Sequence, residues 1–242
     1  MRMTKRFSLF AAAAAFTAST AVLAAPTFIN VLTGGTSGVY YPIGVALSQL
    51  YSNGIEGSKT SVQATKASVE NLNLLQAGRG ELAFALGDSV ADAWNGVEDA
   101  GFKAPLKKLR AIAGTYPNYI QIVASKASGI TSLEDLRGKR ISVGAPRSGT
   151  ELNARAIFKA AGLSYADMGH VEFKPYAESV ELIEKGQLDA TLQSAGLGMA
   201  AIRDLAERVP VELGATEGEG VRGGQHRQMK EMGVEGARRA QR

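Results

Sequence analysis

The chain has 242 residues, 45% of them hydrophobic and 21% charged, which is enough to bury a core and too apolar for pervasive disorder. It carries 27 basic and 23 acidic residues, but no basic stripe marks a nucleic-acid-binding surface, so no nucleic-acid partner is expected. It has no cysteine, which excludes disulfides, a thiol nucleophile and a thiolate metal site.

The N-terminal segment has the pattern of a secretory signal peptide. Arg2, Lys5 and Arg6 form a positive region, an alanine-rich apolar run follows, and small residues at Ala24 and Ala25 suit cleavage. The apolar run is short and interrupted by hydroxyl residues, which argues against a membrane anchor. The pattern therefore predicts export to the periplasm of a Gram-negative bacterium.

Strand and helix patterns alternate after this segment, which predicts an α/β fold. The run FINVLTG is typical of a strand, and apolar residues then recur at helical spacing from Val39. SVQAT and ELAFALG predict further strands, SVENLNLLQAG predicts a helix capped by Ser68, and GDSVADAWNG opens another helix. LRAIAGTY and NYIQIVAS predict two more strands, separated by little more than Pro117.

The second half of the chain repeats this order. Thr131 and Glu134 predict a capping box for a short helix in LEDLRG. RISVGAP predicts a strand before the helix in RSGTELNARAIFKAAG, while VEFKPY and LDATLQSAG predict strands that each precede a helix. The units TGGTSGVYY and GAPRSGTEL resemble each other, which indicates two similar lobes with a crossing near residues 116–122.

The stretch TGGTSGVYYPIG, from Thr33 to Gly44, has the pattern of an anion-binding turn. Its glycines let a ligand approach the backbone, and the helix start that follows favours negative charge. It fits neither the nucleotide-triphosphate loop nor the dinucleotide fingerprint. A tight turn without a ligand is the alternative for one such loop, but two loops in two lobes favour a cleft. Because helix starts and hydroxyls supply donors and little apolar surface, a small mono- or dicarboxylate is expected.

Catalysis has little support in the sequence. His170 and His226 are the only histidines, and neither has a plausible catalytic or metal-binding neighbour. Asp88 and Asp92 lie one helical turn apart, but a solvated or capping role suits them better. Glu70 and Asp88 are the only candidates for an acid or base in an enzyme. No catalytic residue, metal or cofactor is predicted.

The motifs GGTSGVYYPIG, SVENLNLLQAG, LRAIAGTYPNY, GITSLEDLRGKRISVGAPRSGTE and NARAIFKAAGL resemble the TAXI family, the extracytoplasmic solute receptors of tripartite ATP-independent periplasmic (TRAP) transporters. The resemblance runs from about Phe28 to Val211. It implies a two-lobed, type II-like periplasmic-binding-protein fold and a monomeric receptor without enzymatic activity. It also implies a small carboxylate ligand, such as glutamate or a related dicarboxylate, and delivery to an ion-gradient-driven permease.

The resemblance further implies a set of ligand-binding residues at turns, helix starts and strand ends. They are Gly35, Thr36, Ser37, Gly38, Val39, Tyr40, Ser68, Asn71, Asp88, Ser89, Tyr116, Arg147, Ser148, Gly149, Thr150 and Ser194. Three positions depart from the family pattern. Arg147 stands where a small residue, often glycine, is expected, and it either clamps a carboxylate or points to solvent. Ala67 stands where glycine is expected. Gly87-Asp88 stands where the family often has an amide side chain.

The predicted boundaries are 1–25 for the signal peptide, 26–116 for an incomplete first lobe, 117–213 for the second lobe and 214–242 for a tail. The tail is rich in glycine, arginine and glutamate and has no apolar period, which predicts disorder or a shifted reading frame. The C-terminal part of the fold is then truncated. Three alternatives remain open at this point: an ABC-type receptor, a dehydratase-like periplasmic enzyme and a non-functional fragment.

Overall fold

A computed structural model of the chain describes residues 26–216, which form two sheets with helices packed against them. The strands are β1 (Phe28–Leu32), β2 (Lys59–Gln63), β3 (Leu82–Ala83), β4 (Tyr119–Ser125), β5 (Arg140–Ser142), β6 (His170–Glu172), β7 (Ala190–Ala195) and β8 (Val211–Thr216). The helices are α1 (Tyr40–Gly54), α2 (Ser68–Gln76), α3 (Gly87–Asn95), α4 (Gly149–Ala160), α5 (Tyr176–Glu184) and α6 (Ala200–Arg208). The predicted signal peptide and His226 lie outside the described residues.

The first lobe is built on a parallel sheet in the order β2-β1-β3. Strand β1 lies between β2 and β3 and packs against α1. Its residues Val31 and Leu32 are therefore fully buried. Gly44 lets α1 lie close to the end of β1, since a Cβ there would be 2.4 Å from Cγ2 of Thr33. The start of α1 is thereby held beside the carboxyl end of the sheet.

The second lobe is built on a five-stranded sheet in the order β6-β5-β7-β4-β8. Strands β6, β5 and β7 are parallel, whereas β4 runs antiparallel to both β7 and β8. One face packs on α4 through residues such as Phe158 and Leu192, and the other packs on α5 and α6 through Val123 and Leu205. All six residues of β7 are buried, as expected of a strand that is covered on both faces.

Two predicted segments differ in the structure. LRAIAGTY, residues 109–116, forms no strand, and within residues 26–216 no strand pairs with it. Without a neighbouring strand its backbone has no ladder to join, and Ile112 is 72% exposed. Conversely, β8 pairs with β4 as far as Thr216. The predicted start of the tail at Gly214 therefore falls inside a strand.

Two predicted caps were also wrong by one residue. Ala67 is the N-cap of α2, and Ser68 begins the helix with its hydroxyl accepting the N–H of Leu86 at 3.0 Å. The predicted helix in LEDLRG is a single 3₁₀ turn. Its box is formed by Ser132 and Asp135, because the Asp135 carboxylate accepts the Ser132 N–H at 2.9 Å. Thr131 and Ser132 have similar capping ability, so spacing alone did not identify the right one. At α2 the Ser68 hydroxyl bonds to Leu86 in place of capping its own helix.

Candidate functional site

The two lobes enclose a cavity of about 120 Å³ at the carboxyl ends of their parallel strands. This is the edge at which open α/β sheets bind ligands, because loops and helix starts converge there. The cavity is lined by Gly34, Gly35, Gly38, Val39, Tyr40, Thr65, Lys66, Ala67, Ser68, Leu86, Tyr116, Ala145, Ser148, Gly149, Thr150, Pro175, Tyr176, Ser194 and Ala195.

Four helices begin at residues that line the cavity. α1 begins at Tyr40, α2 at Ser68, α4 at Gly149 and α5 at Tyr176. The first backbone N–H groups of a helix lack partners within it, and the helix dipole places partial positive charge at the same end. Helix starts from both lobes therefore make the cavity electrostatically suited to an anion.

Three tyrosines line the cavity, and the rings of two of them, Tyr40 and Tyr116, form an aromatic wall. The ring of Tyr40 stacks on the ring of Phe84, with centroids 5.2 Å apart. The ring of Tyr116 is tilted against the Tyr40 ring, and those two centroids are 6.2 Å apart. Burial raises the pKa of Tyr40, and the neighbouring phenols of Tyr116 and Tyr176 raise it further. Burial also raises the pKa of Tyr116 and of Tyr176. All three phenols are therefore neutral at physiological pH.

Tyr176 connects the start of α5 to α4 and β7 on the second-lobe side of the cavity. Its hydroxyl lies 2.6 Å from Oγ1 of Thr150, 2.9 Å from the carbonyl oxygen of Ser194 and 3.1 Å from the N–H of Ser194. Because a carbonyl only accepts, the phenol proton is donated to Ser194, and the Thr150 hydroxyl donates to the phenol oxygen. Both hydroxyls are thus already engaged within the protein.

Ten of the sixteen predicted ligand-binding residues line the cavity. They are Gly35, Gly38, Val39, Tyr40, Ser68, Tyr116, Ser148, Gly149, Thr150 and Ser194. Their contact with a ligand stays a prediction. The other six, Thr36, Ser37, Asn71, Asp88, Ser89 and Arg147, lie outside the cavity lining.

Asn71 is fully buried and holds the loops behind the cavity. Its amide nitrogen donates to the carbonyl oxygens of Thr33 at 2.6 Å and Phe84 at 2.8 Å, and its amide oxygen accepts from the Thr65 hydroxyl at 2.6 Å. These bonds join the residues that follow β1, β2 and β3. Asn71 therefore shapes the first-lobe loops from behind the cavity lining.

Asp88 lies where the two lobes touch. Its carboxylate accepts from the Asn153 amide at 2.5 Å, and the amide oxygen of Asn153 accepts from the Ser194 hydroxyl at 2.9 Å. Ser89 is fully buried beside this contact, and its Oγ is 2.9 Å from where a Cβ on Gly149 would lie. These residues connect α3 of the first lobe to α4 and β7 of the second.

Arg147 is exposed outside the cavity lining, which favours its solvent-facing alternative over the carboxylate clamp. Its φ is 63°, and the φ of Ala67 is 69°. Among the described residues, these are the only non-glycine positions with positive φ. The family resemblance expects glycine at Ala67 and a small residue, often glycine, at Arg147, and the positive φ at both positions explains why glycine suits them.

The main residues that the sequence did not reveal are Lys66 and Tyr176. Lys66 is the only charged residue among the described residues that line the cavity. It directly precedes the N-cap of α2, and a basic residue beside a predicted helix start is a sequence signal for an anion site. Tyr176 starts α5 after a proline, but its hydrogen bonds to Thr150 and Ser194 depend on tertiary packing that spacing does not predict.

Two further features concern membranes and metals. No helix within residues 26–216 is long and apolar enough to span a bilayer. In the same part of the chain, no three His, Cys, Asp or Glu side chains are grouped so as to hold a metal ion.

A family model described as the NMT1-like family matches residues 31–230, which is most of the chain. The chain belongs to the NMT1-like family. This NMT1-like protein is similar in fold to the alkanesulfonate-binding protein SsuA from Xanthomonas axonopodis pv. citri bound to MOPS. The identity is 18% and the TM-score 0.55, over 81% of this chain and 63% of the other. The chain therefore spans less than two thirds of that relative.

The NMT1-like chain is also similar to an ancestral arginine-binding protein bound to arginine. Here the identity is 18% and the TM-score 0.52, over 86% of this chain and 93% of the other. At such identities the likeness concerns the fold alone. It confirms the predicted α/β fold of a periplasmic binding protein.

Proposed function

We propose that this NMT1-like protein is a periplasmic solute receptor of the TAXI type. It binds a small carboxylate in the cavity between its lobes and delivers it to a TRAP-type permease. The observation that carries this proposal is the convergence of four helix starts and Lys66 on one cavity. A carboxylate at a helix start gains about 0.3–1 kcal/mol, and up to about 2 kcal/mol when partly buried.

The assignment as a receptor without enzymatic activity is supported by the state of the possible acids and bases. Asp88 is bonded to Asn153 outside the cavity lining, and Glu70 accepts the backbone N–H of Lys66 at 2.6 Å. His170 is exposed on β6 and pairs with Glu172. The cavity phenols are neutral, so they serve as hydrogen-bonding groups and not as bases. A receptor needs only these donors and a closing cleft.

The membrane partner and the compartment rest on sequence motifs. The ordered motifs from GGTSGVYYPIG to NARAIFKAAGL favour a TRAP permease over an ABC permease. The N-terminal pattern favours a periplasmic location, and cell fractionation of the tagged chain would test it. Uptake of ligand in vesicles that contain a TRAP permease, with and without added receptor, would test the partner.

A thermal-shift screen of the purified protein tests the ligand class. At 100 times its Kd, a cleft ligand stabilises the folded state by about 2.7 kcal/mol. For a chain of this size we expect a rise in melting temperature of roughly 5–11 °C with a carboxylate. Stabilisation by sugars or metal cations alone would contradict the proposal.

A further inference from the structure

The cavity lining combines a single cation with a largely apolar remainder. Lys66 is the charged residue, and it lies at the first-lobe edge beside the start of α2. Three tyrosine rings and six aliphatic side chains make up much of the rest. They are Tyr40, Tyr116, Tyr176, Val39, Ala67, Leu86, Ala145, Pro175 and Ala195. This surface is far more apolar than the glycine and hydroxyl motifs had predicted.

Three of the four second-lobe hydroxyls in the lining already donate within the protein, and only Ser148, whose oxygen accepts the Glu151 N–H, keeps a proton to donate to a ligand. Thr150 donates to Tyr176, and the Ser194 hydroxyl donates to Asn153. The Ser194 N–H is also taken, by the Tyr176 oxygen. A second ligand carboxylate placed on this side would lose its water and gain only the Ser148 hydroxyl and the first N–H groups of α4 and α5, with no cation beside it, and a buried charge with so few partners is costly.

We infer that the ligand is a monoanion with an apolar, ring-sized body, whose one carboxylate lies at Lys66 and whose body lies against the tyrosine rings. This inference rests on the proposed function and narrows it to one class of carboxylate. The Tyr40 and Tyr116 rings are already in contact, so the ligand body packs on the wall they form and does not insert between them. Offset or edge-on ring packing of this kind adds to the area that is buried.

Calorimetric titration of the full chain with matched carboxylates tests this inference. The probes are phenylacetate and benzoate, which have one charge and a ring, and succinate and glutarate, which have two charges and a short chain. We expect phenylacetate or benzoate to bind at least about tenfold more tightly than either dianion. Tighter binding of succinate or glutarate would overturn the inference and leave the proposed function standing. If none of the four binds and the thermal-shift screen also finds no stabilising carboxylate, the proposed function fails with it.

Two lysine variants test the position of the charge. Lys66→Gln should weaken phenylacetate binding by about tenfold or more. Because the Lys66 side chain is exposed, the melting temperature of the Lys66→Gln variant without ligand should equal that of the natural chain. Lys103→Gln is the matched control, since Lys103 is also exposed and lies outside the cavity lining, and it should bind as the natural chain does. Equal affinity of the natural chain and Lys66→Gln would remove Lys66 from the site and overturn the assignment.

Discussion

Two residues are held in backbone conformations that suit glycine. Ala67 has φ 69° and ψ −153°, a region that is populated almost only by glycine, and Arg147 has φ 63°. Such conformations cost roughly 1–3 kcal/mol for a residue with a side chain. Ala67 lies in the cavity lining, whereas Arg147 lies outside it, so the strain at Ala67 shapes the start of α2 directly.

Replacing either residue by glycine should therefore stabilise the protein. We expect Arg147→Gly to raise the free energy of unfolding by about 0.5–1 kcal/mol, because relief of strain exceeds the extra entropy of glycine in the unfolded chain. Thermal unfolding of Arg147→Gly and Arg147→Ala would measure this. The alanine variant keeps the strained φ and serves as the control. A lower melting temperature for Arg147→Gly would mean that its backbone is unstrained.

At the scale of elements, one ion pair joins β5 to β7. The Asp189 carboxylate, just before β7, accepts from the backbone N–H of Arg140, the first residue of β5, at 2.8 Å and from its guanidinium at 2.6 Å. Bonding to Arg140 lowers the pKa of the Asp189 carboxyl. A lowered folded-state pKa gives stability that is present above the unfolded value of about 3.9 and is lost as pH falls through the folded value.

Asp189→Asn should consequently lower the melting temperature by a few degrees at pH 7, a modest effect because the guanidinium is partly exposed. The difference from the natural chain should begin to shrink below about pH 4 and be lost as the pH falls through the lowered pKa of the folded Asp189 carboxyl. Glu181→Gln removes an exposed helical ion pair with Lys185 and is the control, with no measurable change expected. A pH-independent difference would assign the effect to packing.

The elements also divide into those that local sequence predicts and those that it does not. Helices such as α4 were predicted nearly to their ends, because apolar spacing and the Ser148 cap act within a few residues. The segment 109–116 has strand composition, but a strand forms only beside another strand, and none pairs with it within the described residues. The glycine turns predicted the cleft. Lys66 and Tyr176 were not predicted, because only tertiary packing brings them into the cavity lining.

At the scale of the whole molecule, the lobes touch through a small set of contacts behind the cavity. Asn153 bridges Asp88 and Ser194, and the Arg155 guanidinium donates to the carbonyl oxygen of Asp99 at 2.9 Å. A Cβ on Gly149 would lie 2.7 Å from the side chain of Leu86, so the start of α4 packs tightly on the first lobe. Contacts of this kind favour the closed arrangement, in which both lobes line one cavity.

Breaking the Asn153 contact should shift the protein toward an open arrangement. A hydrogen bond to a charged group is worth about 1.5–3 kcal/mol at most, and ligand affinity falls in proportion to the population of the closed state. We therefore expect Asn153→Ala to weaken carboxylate binding by about tenfold and to increase the radius of gyration measured by X-ray scattering. Asn73→Ala is the control, because the Asn73 side chain donates to the Val69 carbonyl within α2 and lies away from the second lobe's Asn153 contact. If Asn153→Ala kept both the affinity and the radius of the natural chain, closure would have to depend on other contacts between the lobes, such as the packing of Gly149 on Leu86 and the hydrogen bond from Arg155 to Asp99.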